Sequence, residues 1–317
     1  MQRAPTEAVS AQARMLRAFL RHVVKHHING EQDLVRLRRN GDTIAVFAPD
    51  APRGVVRRRI TLGGLGGERH EPRGGAGRGV VLYLHGGGFV MGSARTHRGI
   101  SGRIAREVGA SVFTVNYRLA PEHPYPCALH DAASAYRALL AGGVDPSRVA
   151  VVGDSAGGNL AFALMLKLKD EGAPLPAALV GLSPFVDMTG SGASMTANAT
   201  LDPFLDAMRL PDVVGAYAPG FDPLDPLLSP LFGDLAGFPP TLIQCGGDEI
   251  LLDDARRMHA ALVAAGVEST LEVWPQMPHV WQAFARFLPE GRAAIGNIAG
   301  FLRGRIGDAA PVADIAA

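Results

Sequence analysis

The sequence predicts an α/β protein built on a mostly parallel central sheet with helices on both faces. Of its 317 residues, 47% are hydrophobic, which is enough for one large buried core. From residue 80 onward, short continuous apolar runs alternate with amphipathic stretches. Such runs are typical of parallel strands buried on both faces, and the alternation is typical of strand–helix–strand units. We therefore expect a single domain that spans residues 1–317.

The chain before residue 80 has a different pattern of apolar residues. Apolar residues at three- and four-residue spacing predict a helix over residues 6–27. Short strand candidates follow at residues 44–47, 55–62 and 68–71, and glycine and proline separate them. We expect these candidates to be antiparallel strands at the edge of the larger sheet.

The elements after residue 80 follow from the alternation itself. The predicted strands lie at residues 80–84, 112–115, 149–152, 179–182, 242–245 and 271–274. The predicted helices lie at residues 99–108, 128–141, 157–169 and 253–265. Residues 188–226 interrupt this alternation of strands and helices. An insertion of that length beyond the carboxyl end of a strand is typical of a lid. We expect a helical cap formed by about residues 1–40 and by residues 188–226.

The strongest local signal is the pentapeptide Gly153-Asp154-Ser155-Ala156-Gly157. It lies between a predicted strand and a predicted helix, as the G-x-S-x-G nucleophile elbow requires. Glycines flank the serine because the strand-to-helix turn is too tight for a Cβ nearby. Ser155 would also lie at a helix N-terminus, which favours developing negative charge. The pattern therefore predicts that Ser155 is a nucleophile, although a glycine-rich helix start capped by Ser155 would also match it.

A second glycine-rich segment, HGGGF at residues 85–89, follows the strand predicted at 80–84. In serine hydrolases of this architecture, one oxyanion donor comes from such a loop and another from the residue after the nucleophile. We therefore expect the amides of Gly87, Gly88 and Ala156 to form the oxyanion hole. A phosphate-binding loop is excluded, since its lysine and its glycine spacing are missing.

The general base should come last in the chain. His279 follows the strand predicted at 271–274, whereas His259 lies in the middle of the helix predicted at 253–265. His279 is therefore the predicted base. The carboxylate that orients it should follow the strand at 242–245, where Asp248 and Glu249 are adjacent. Local chemistry leaves both open, because either carboxylate could hold the imidazole.

Two further aspartates, Asp253 and Asp254, follow those candidate acids closely. They stand at the start of the predicted helix 253–265. Aspartate is a preferred N-cap residue, so we expect one of them to cap that helix.

Three motifs together carry a resemblance to a known family. HGGGF at 85–89, GDSAGGN at 153–159 and YRLAPEHPYP at 117–126 resemble the hormone-sensitive-lipase family of bacterial esterases. The resemblance covers residues 80 to about 303 and is weaker in the cap. It implies the α/β-hydrolase fold, a Ser–His–acid triad, an N-terminal cap and hydrolysis of esters with short to medium acyl chains.

The resemblance also bears on the acid. The family pattern is an acidic residue followed by an aspartate four positions later, and Glu249 with Asp253 fits that spacing. Asp248 with Asp253 is one residue too long. Most family members carry aspartate at the first position, so Glu249 is a departure. On this basis Glu249 is the predicted acid, and Asp248 is the alternative.

Composition limits the binding partners, cellular location and cofactors that we expect. The net charge of +1 provides no global field to recruit nucleic acid or an anionic membrane. No apolar run approaches eighteen residues and the N-terminus lacks the apolar core of a signal peptide, so we expect a cytoplasmic protein without membrane insertion.

Cys127 and Cys245 fit neither a disulfide framework nor a metal site. We expect no metal and no organic cofactor, and a homodimer is compatible with the family.

The predicted activity is therefore that of a serine carboxylesterase with a small-molecule ester as substrate. Hydrolysis of a lactone or an amide by the same triad is an alternative. A non-catalytic small-molecule receptor is another, although such a protein does not require both Ser155 and His279.

Overall fold

A computed structural model describes residues 2–3, 9–25, 38, 51–77 and 79–307. Within them, one sheet organises the molecule. Its nine strands in chain order are β1 (Gln2–Arg3), β2 (Val55–Leu62), β3 (Leu65–Pro72), β4 (Val80–Leu84), β5 (Ser111–Val115), β6 (Val149–Asp154), β7 (Ala178–Leu182), β8 (Thr241–Gly246) and β9 (Ser269–Trp274). The predicted strands from β4 to β9 are confirmed within two residues at each end.

The spatial order of the strands is β1-β9-β8-β7-β6-β4-β5-β3-β2. Strands β2 and β3 pair antiparallel at one edge, and β3 pairs antiparallel with β5, as predicted for residues 55–62 and 68–71. All other neighbours are parallel, so the carboxyl ends of β4, β6, β7, β8 and β9 meet at one edge of the sheet. The predicted α/β fold is confirmed. The strand predicted at residues 44–47 lies outside the described residues.

Eight α-helices occur in the described residues. They are α1 (Ala11–Phe19), α2 (Arg98–Val108), α3 (Cys127–Ala141), α4 (Ala156–Asp170), α5 (Ser194–Ala197), α6 (Leu210–Tyr217), α7 (Leu252–Ala264) and α8 (Pro289–Arg303). Of the helix predicted over 6–27, residues 6–8 and 26–27 lie outside the described residues, and α1 begins at Ala11. Ser10 caps α1 by accepting a hydrogen bond from the Ala13 amide, and Leu20–Val24 continue α1 as a π-helical turn. Helix α8 was not among the predicted elements.

The two faces of the sheet carry separate cores because side chains alternate along each strand. Val80, Leu82 and Leu84 of β4 point into the core beneath α3, α4 and α7. Val81 and Tyr83 point into the core beneath α2 and α8. All five side chains are fully buried, which fixes the register of β4 and hence the position of the loop that follows it.

The segment between β7 and β8 contains α5, α6 and short 3-10 turns. It contacts α1, since the Arg21 guanidinium donates to the Leu201 carbonyl at 2.8 Å and the Lys25 ammonium donates to the Asp202 carbonyl at 2.8 Å. Of the N-terminal part expected in the cap, only residues 2–3, 9–25 and 38 are described. In the described part of the chain, no helix combines the length and the apolar character needed to cross a membrane.

Candidate active site

Ser155 occupies the sharp turn between β6 and α4, with φ 54° and ψ −120°. A Cβ on Gly153 would lie 2.1 Å from the Gly157 carbonyl oxygen, and a Cβ on Gly157 would lie 2.1 Å from the Leu84 carbonyl oxygen. Glycine is therefore required at both positions, as the motif predicted. The turn leaves Ser155 partly exposed while its neighbours on both sides are buried.

The loop after β7 holds this turn in place. The Ser155 amide donates to the Leu182 carbonyl at 2.9 Å, and the Phe185 amide donates to the Ser155 carbonyl at 3.2 Å. The Asn159 side chain donates to the carbonyls of Phe185 and Leu228, each at 2.8 Å. These bonds support the positive φ of Ser155, which a non-glycine residue adopts only when its surroundings enforce it.

His279 and Glu249 form a buried hydrogen-bonded pair. The His279 Nδ1 atom lies 2.7 Å from Glu249 Oε2, and the two residues are 5% and 0% exposed. Burial opposes protonation of the imidazole, but the hydrogen bond to Glu249 and the negative charges of Glu249 and Asp202 outweigh burial. They raise the pKa of His279 above its usual value. An imidazole held in this way can accept a proton at Nε2 and keep it.

The other carboxylate oxygen of Glu249 is fixed by two donors. Oε1 accepts from the Ser183 hydroxyl at 2.7 Å and from the Gly246 amide. The Ser183 hydroxyl in turn accepts from the Val280 amide at 3.2 Å. Ser183 belongs to the same loop after β7 that holds Ser155, so this loop connects the Ser155 turn to Glu249 and His279.

Asp248 faces in another direction. Its carboxylate pairs with the Arg17 guanidinium of α1, and its side chain is 20% exposed. The structure thus brings Glu249, and not Asp248, to His279. His259 also lies apart from this site, within α7, where its Nδ1 is 2.8 Å from the Ser269 hydroxyl.

The expectation that Asp253 or Asp254 caps α7 is wrong. The N-cap residue is Leu251, which makes no side-chain capping bond, and the first-turn amide of Asp253 donates instead to the Ser194 hydroxyl at 2.9 Å. Asp253 accepts from the Ser194 amide at 2.9 Å, and Asp254 accepts from amides in the segment after β7. These carboxylates are used by a segment distant in sequence, which local capping preference does not reveal.

The loop that carries Gly87 and Gly88 lies beside the Ser155 turn, because a Cβ on Gly157 would lie 2.5 Å from the His85 carbonyl oxygen. Gly87 and Gly88 have φ of 117° and 61°, conformations that favour glycine. The Gly86 amide donates to Asp154 Oδ1 at 3.0 Å and is therefore occupied. Within the described chain, the amides of Gly87 and Gly88 donate to no other group, and Ala156 begins α4, where helical amides lack partners. These three donors can bind an anionic oxygen.

Sequence reasoning missed three residues at this site, namely Asp202, Phe204 and His97. Asp202 is buried and accepts from the Ile250 amide at 3.0 Å and the Phe204 amide at 2.8 Å. Burial, and then the nearby charge of Glu249, raise its pKa. Phe204 stacks on His279 with 5.9 Å between ring centroids. The Asp-Pro dipeptide at 202–203 signals a turn but not its place beside the base.

Comparison with known proteins identifies the family to which this fold belongs. A family model described as alpha/beta hydrolase fold matches residues 81–283. An acetyl-hydrolase of Streptomyces hygroscopicus is 42% identical over 283 residues, which are 89% of this chain and 93% of the relative. An esterase of Acinetobacter venetianus is 38% identical over 261 residues, which are 82% of this chain and 86% of the relative.

Solved structures give the same result. The crystal structure of an esterase from the bacterial hormone-sensitive lipase family has a TM-score of 0.89 and 44% identity, over 95% of this chain and all of that one. The fold and the site thus define an α/β hydrolase. The chain belongs to the hormone-sensitive-lipase family of esterases, and it is a carboxylesterase.

Proposed function

We propose that Ser155, His279 and Glu249 form the catalytic triad of this carboxylesterase, and that it acts on esters with short to medium acyl chains. The observation that carries the triad is the buried 2.7 Å contact between His279 and Glu249, joined to the Ser155 turn through Ser183. Glu249 thereby takes the role for which Asp248 was the alternative.

In the first half-reaction, the Ser155 hydroxyl attacks the ester carbonyl and transfers its proton to His279 Nε2. The carbonyl oxygen becomes an anion and accepts hydrogen bonds from the amides of Gly87, Gly88 and Ala156. Each such donor contributes about 3–4 kcal/mol to the transition state. The imidazolium then protonates the leaving alkoxide, and an acyl-enzyme and a free alcohol result.

In the second half-reaction, His279 removes a proton from water, and the resulting hydroxide attacks the acyl-enzyme carbonyl. The same amides hold the second oxyanion. Its collapse expels the Ser155 oxygen, which recovers a proton from His279, and the carboxylic acid departs. Glu249 orients the imidazole and stabilises its cation in both halves.

The cap segment supports the preference for short acyl chains. Phe204 stacks on His279, and Val213 of α6 lies next to Gly88. Large side chains therefore border both the base and the oxyanion loop, which limits the space for an acyl chain. Two relatives are named acetyl-hydrolases, which agrees with this preference. We propose that α1 and residues 188–226 together form the cap.

The test uses p-nitrophenyl acetate, butyrate and decanoate with the wild-type protein and with Ser155→Ala. We expect kcat/KM to be highest for acetate or butyrate. We expect Ser155→Ala to lower it by at least about 10³-fold, since serine hydrolases lose more than that without the nucleophile. Turnover that survives Ser155→Ala would contradict the triad, and highest activity on decanoate would contradict the chain-length proposal.

A further inference from the structure

A polar cluster lies beneath the nucleophile turn, and the reaction described above does not use it. Its centre is the carboxylate of Asp154, which is 3% exposed and immediately precedes Ser155. Asp154 Oδ1 accepts from the Tyr83 hydroxyl at 2.7 Å and from the Gly86 amide at 3.0 Å. The carboxylate therefore connects the Ser155 turn to the glycine-rich loop at residues 85–89. It does so at Gly86, the residue before Gly87.

His97 contacts the other oxygen of this carboxylate. His97 Nε2 lies 3.3 Å from Asp154 Oδ2. On the other side of the ring, Nδ1 lies 3.1 Å from the Ser93 carbonyl oxygen and 2.7 Å from the Thr96 hydroxyl. The Thr96 hydroxyl is also 2.8 Å from the Ser93 carbonyl and can donate its own proton there, which leaves it able to accept from the ring. Both nitrogens thus face oxygen atoms that can accept a hydrogen bond, an arrangement that favours a proton on each and hence the cation.

The groups around His97 are consistent with that charge. His85 lies with its ring 5.4 Å away, and burial followed by the charge of His97 lowers the pKa of His85 to about 3, so His85 is neutral. Tyr83 keeps its proton because it donates to Asp154. Arg98, the next residue, pairs with Glu68. Burial opposes the charge on His97, but the charge and hydrogen bond of Asp154 outweigh it and raise the pKa of His97.

We propose that protonated His97 is a positioning residue for the reaction and acts through Asp154 on the oxyanion hole. The inference rests on the proposed function, because it needs Gly87, Gly88 and Ala156 as the oxyanion donors. A buried carboxylate that loses its cationic partner is costly. Asp154 would then move or take up a proton, and both changes disturb the Gly86 amide that it holds. The donors next to Gly86 would leave their optimal positions.

This role predicts which kinetic constant depends on His97. The oxyanion exists in the transition state and not in the bound ester, so loss of His97 lowers kcat and leaves KM nearly unchanged. It also adds a protonation requirement. Acylation needs neutral His279, so kcat rises as pH increases through the pKa of His279. Under this proposal acylation also needs protonated His97, so loss of that proton lowers kcat and produces an alkaline limb; the proposal thereby requires the pKa of His97 to lie above that of His279.

The experiment compares wild type, His97→Gln and His97→Ala on p-nitrophenyl butyrate across the pH range. His259→Gln is the matched control, because His259 is also a partly buried, hydrogen-bonded histidine but lies in α7 away from the site. We expect kcat to fall about 10- to 100-fold in His97→Ala, less than the roughly 10²–10³ of a lost donor. We expect His97→Gln, which keeps a neutral donor, to retain more activity and to lose the alkaline fall in kcat.

A second measurement does not depend on the folding of any variant. Proton NMR of the wild-type protein follows the ionisation of each histidine, and the proposal requires His97 to titrate with the pKa of the alkaline limb of kcat. An alkaline limb that persists in His97→Gln, or a different NMR pKa for His97, would overturn the proposal. Absence of Ser155-dependent turnover in the wild-type protein would instead overturn the proposed function.

Discussion

Asp248 and Glu249 are adjacent in the loop after β8, but their surroundings differ, and this difference supports different roles for them. Glu249 is fully buried, and two donors, the Ser183 hydroxyl and the Gly246 amide, fix one of its oxygens and leave the other for His279. Asp248 pairs instead with a guanidinium at the surface. The Glu249 carboxylate reaches the imidazole at 2.7 Å, which is the contact that its proposed role requires.

The acid can be tested by two matched substitutions, Glu249→Gln and Asp248→Asn. Each removes one negative charge and keeps the shape of the side chain. We expect Glu249→Gln to lower kcat by about 10³–10⁴-fold, the effect of replacing a triad carboxylate by its amide. Asp248→Asn should change kcat less than about fivefold, because a partly exposed ion pair contributes about 1 kcal/mol or less. A larger loss in Asp248→Asn than in Glu249→Gln would reverse the assignment.

At the scale of elements, the N-terminal helix and its π-helical extension connect three parts of the site. Arg17, Arg21 and Lys25 recur at four-residue spacing and so lie on one side of the helix. Arg17 pairs with Asp248 and donates to the Gln276 carbonyl at 2.7 Å. Arg21 and Lys25 donate to carbonyls of the segment between β7 and β8. These three basic side chains therefore hold the helix to the loop that contains Asp248, to the loop that contains Gln276 and to the proposed cap.

If this row positions the cap, Arg17→Gln should impair substrate binding more than chemistry. The Glu249–His279 pair keeps its own contacts, so we expect kcat to change little. KM should rise about two- to fivefold, the equivalent of losing up to about 1 kcal/mol of a partly exposed ion pair. The matched control is Arg14→Gln on the same helix, where the guanidinium reaches only the Val9 carbonyl among the described residues. An equal rise of KM in both variants would contradict a specific role for Arg17.

The elements that could be predicted from the sequence are those that a local pattern defines. Strands β4 to β9 are rich in buried apolar residues, and the turn at Ser155 follows from its glycines. Glu249 was predicted over Asp248 from the family spacing to Asp253, but the contact that fixes its carboxylate comes from Ser183, 66 residues away. The link between His97 and Asp154 spans 57 residues. Such contacts arise when strand ends meet at one edge of the sheet, and a local pattern does not encode which side chains meet there.

At the scale of the whole molecule, one buried carboxylate links the helical layer to the segment beyond β7. Asp254, in the first turn of α7, is fully buried and accepts at Oδ2 from the amides of Val186 and Asp187, at 2.9 and 3.1 Å. Its other oxygen, Oδ1, makes no hydrogen bond within the described chain. Burial, with a further contribution from the charge of Asp187, raises the pKa of Asp254 to about 8. We therefore expect the folded protein to retain a proton on Asp254 at neutral pH.

This proton links stability to pH. The pKa of Asp254 rises from 3.8 when unrestrained to about 8 when folded, so the folded state binds the extra proton between these values. The free energy of unfolding should therefore decrease as pH rises from about 4 to about 8. Asp254→Asn keeps an acceptor for the two amides and cannot ionise. We expect its stability relative to wild type to increase by at least about 1 kcal/mol between pH 5 and pH 8, since each pKa unit corresponds to about 1.4 kcal/mol. Urea denaturation at both pH values measures the difference, and a difference that does not change with pH would show that Asp254 is ionised in the folded protein.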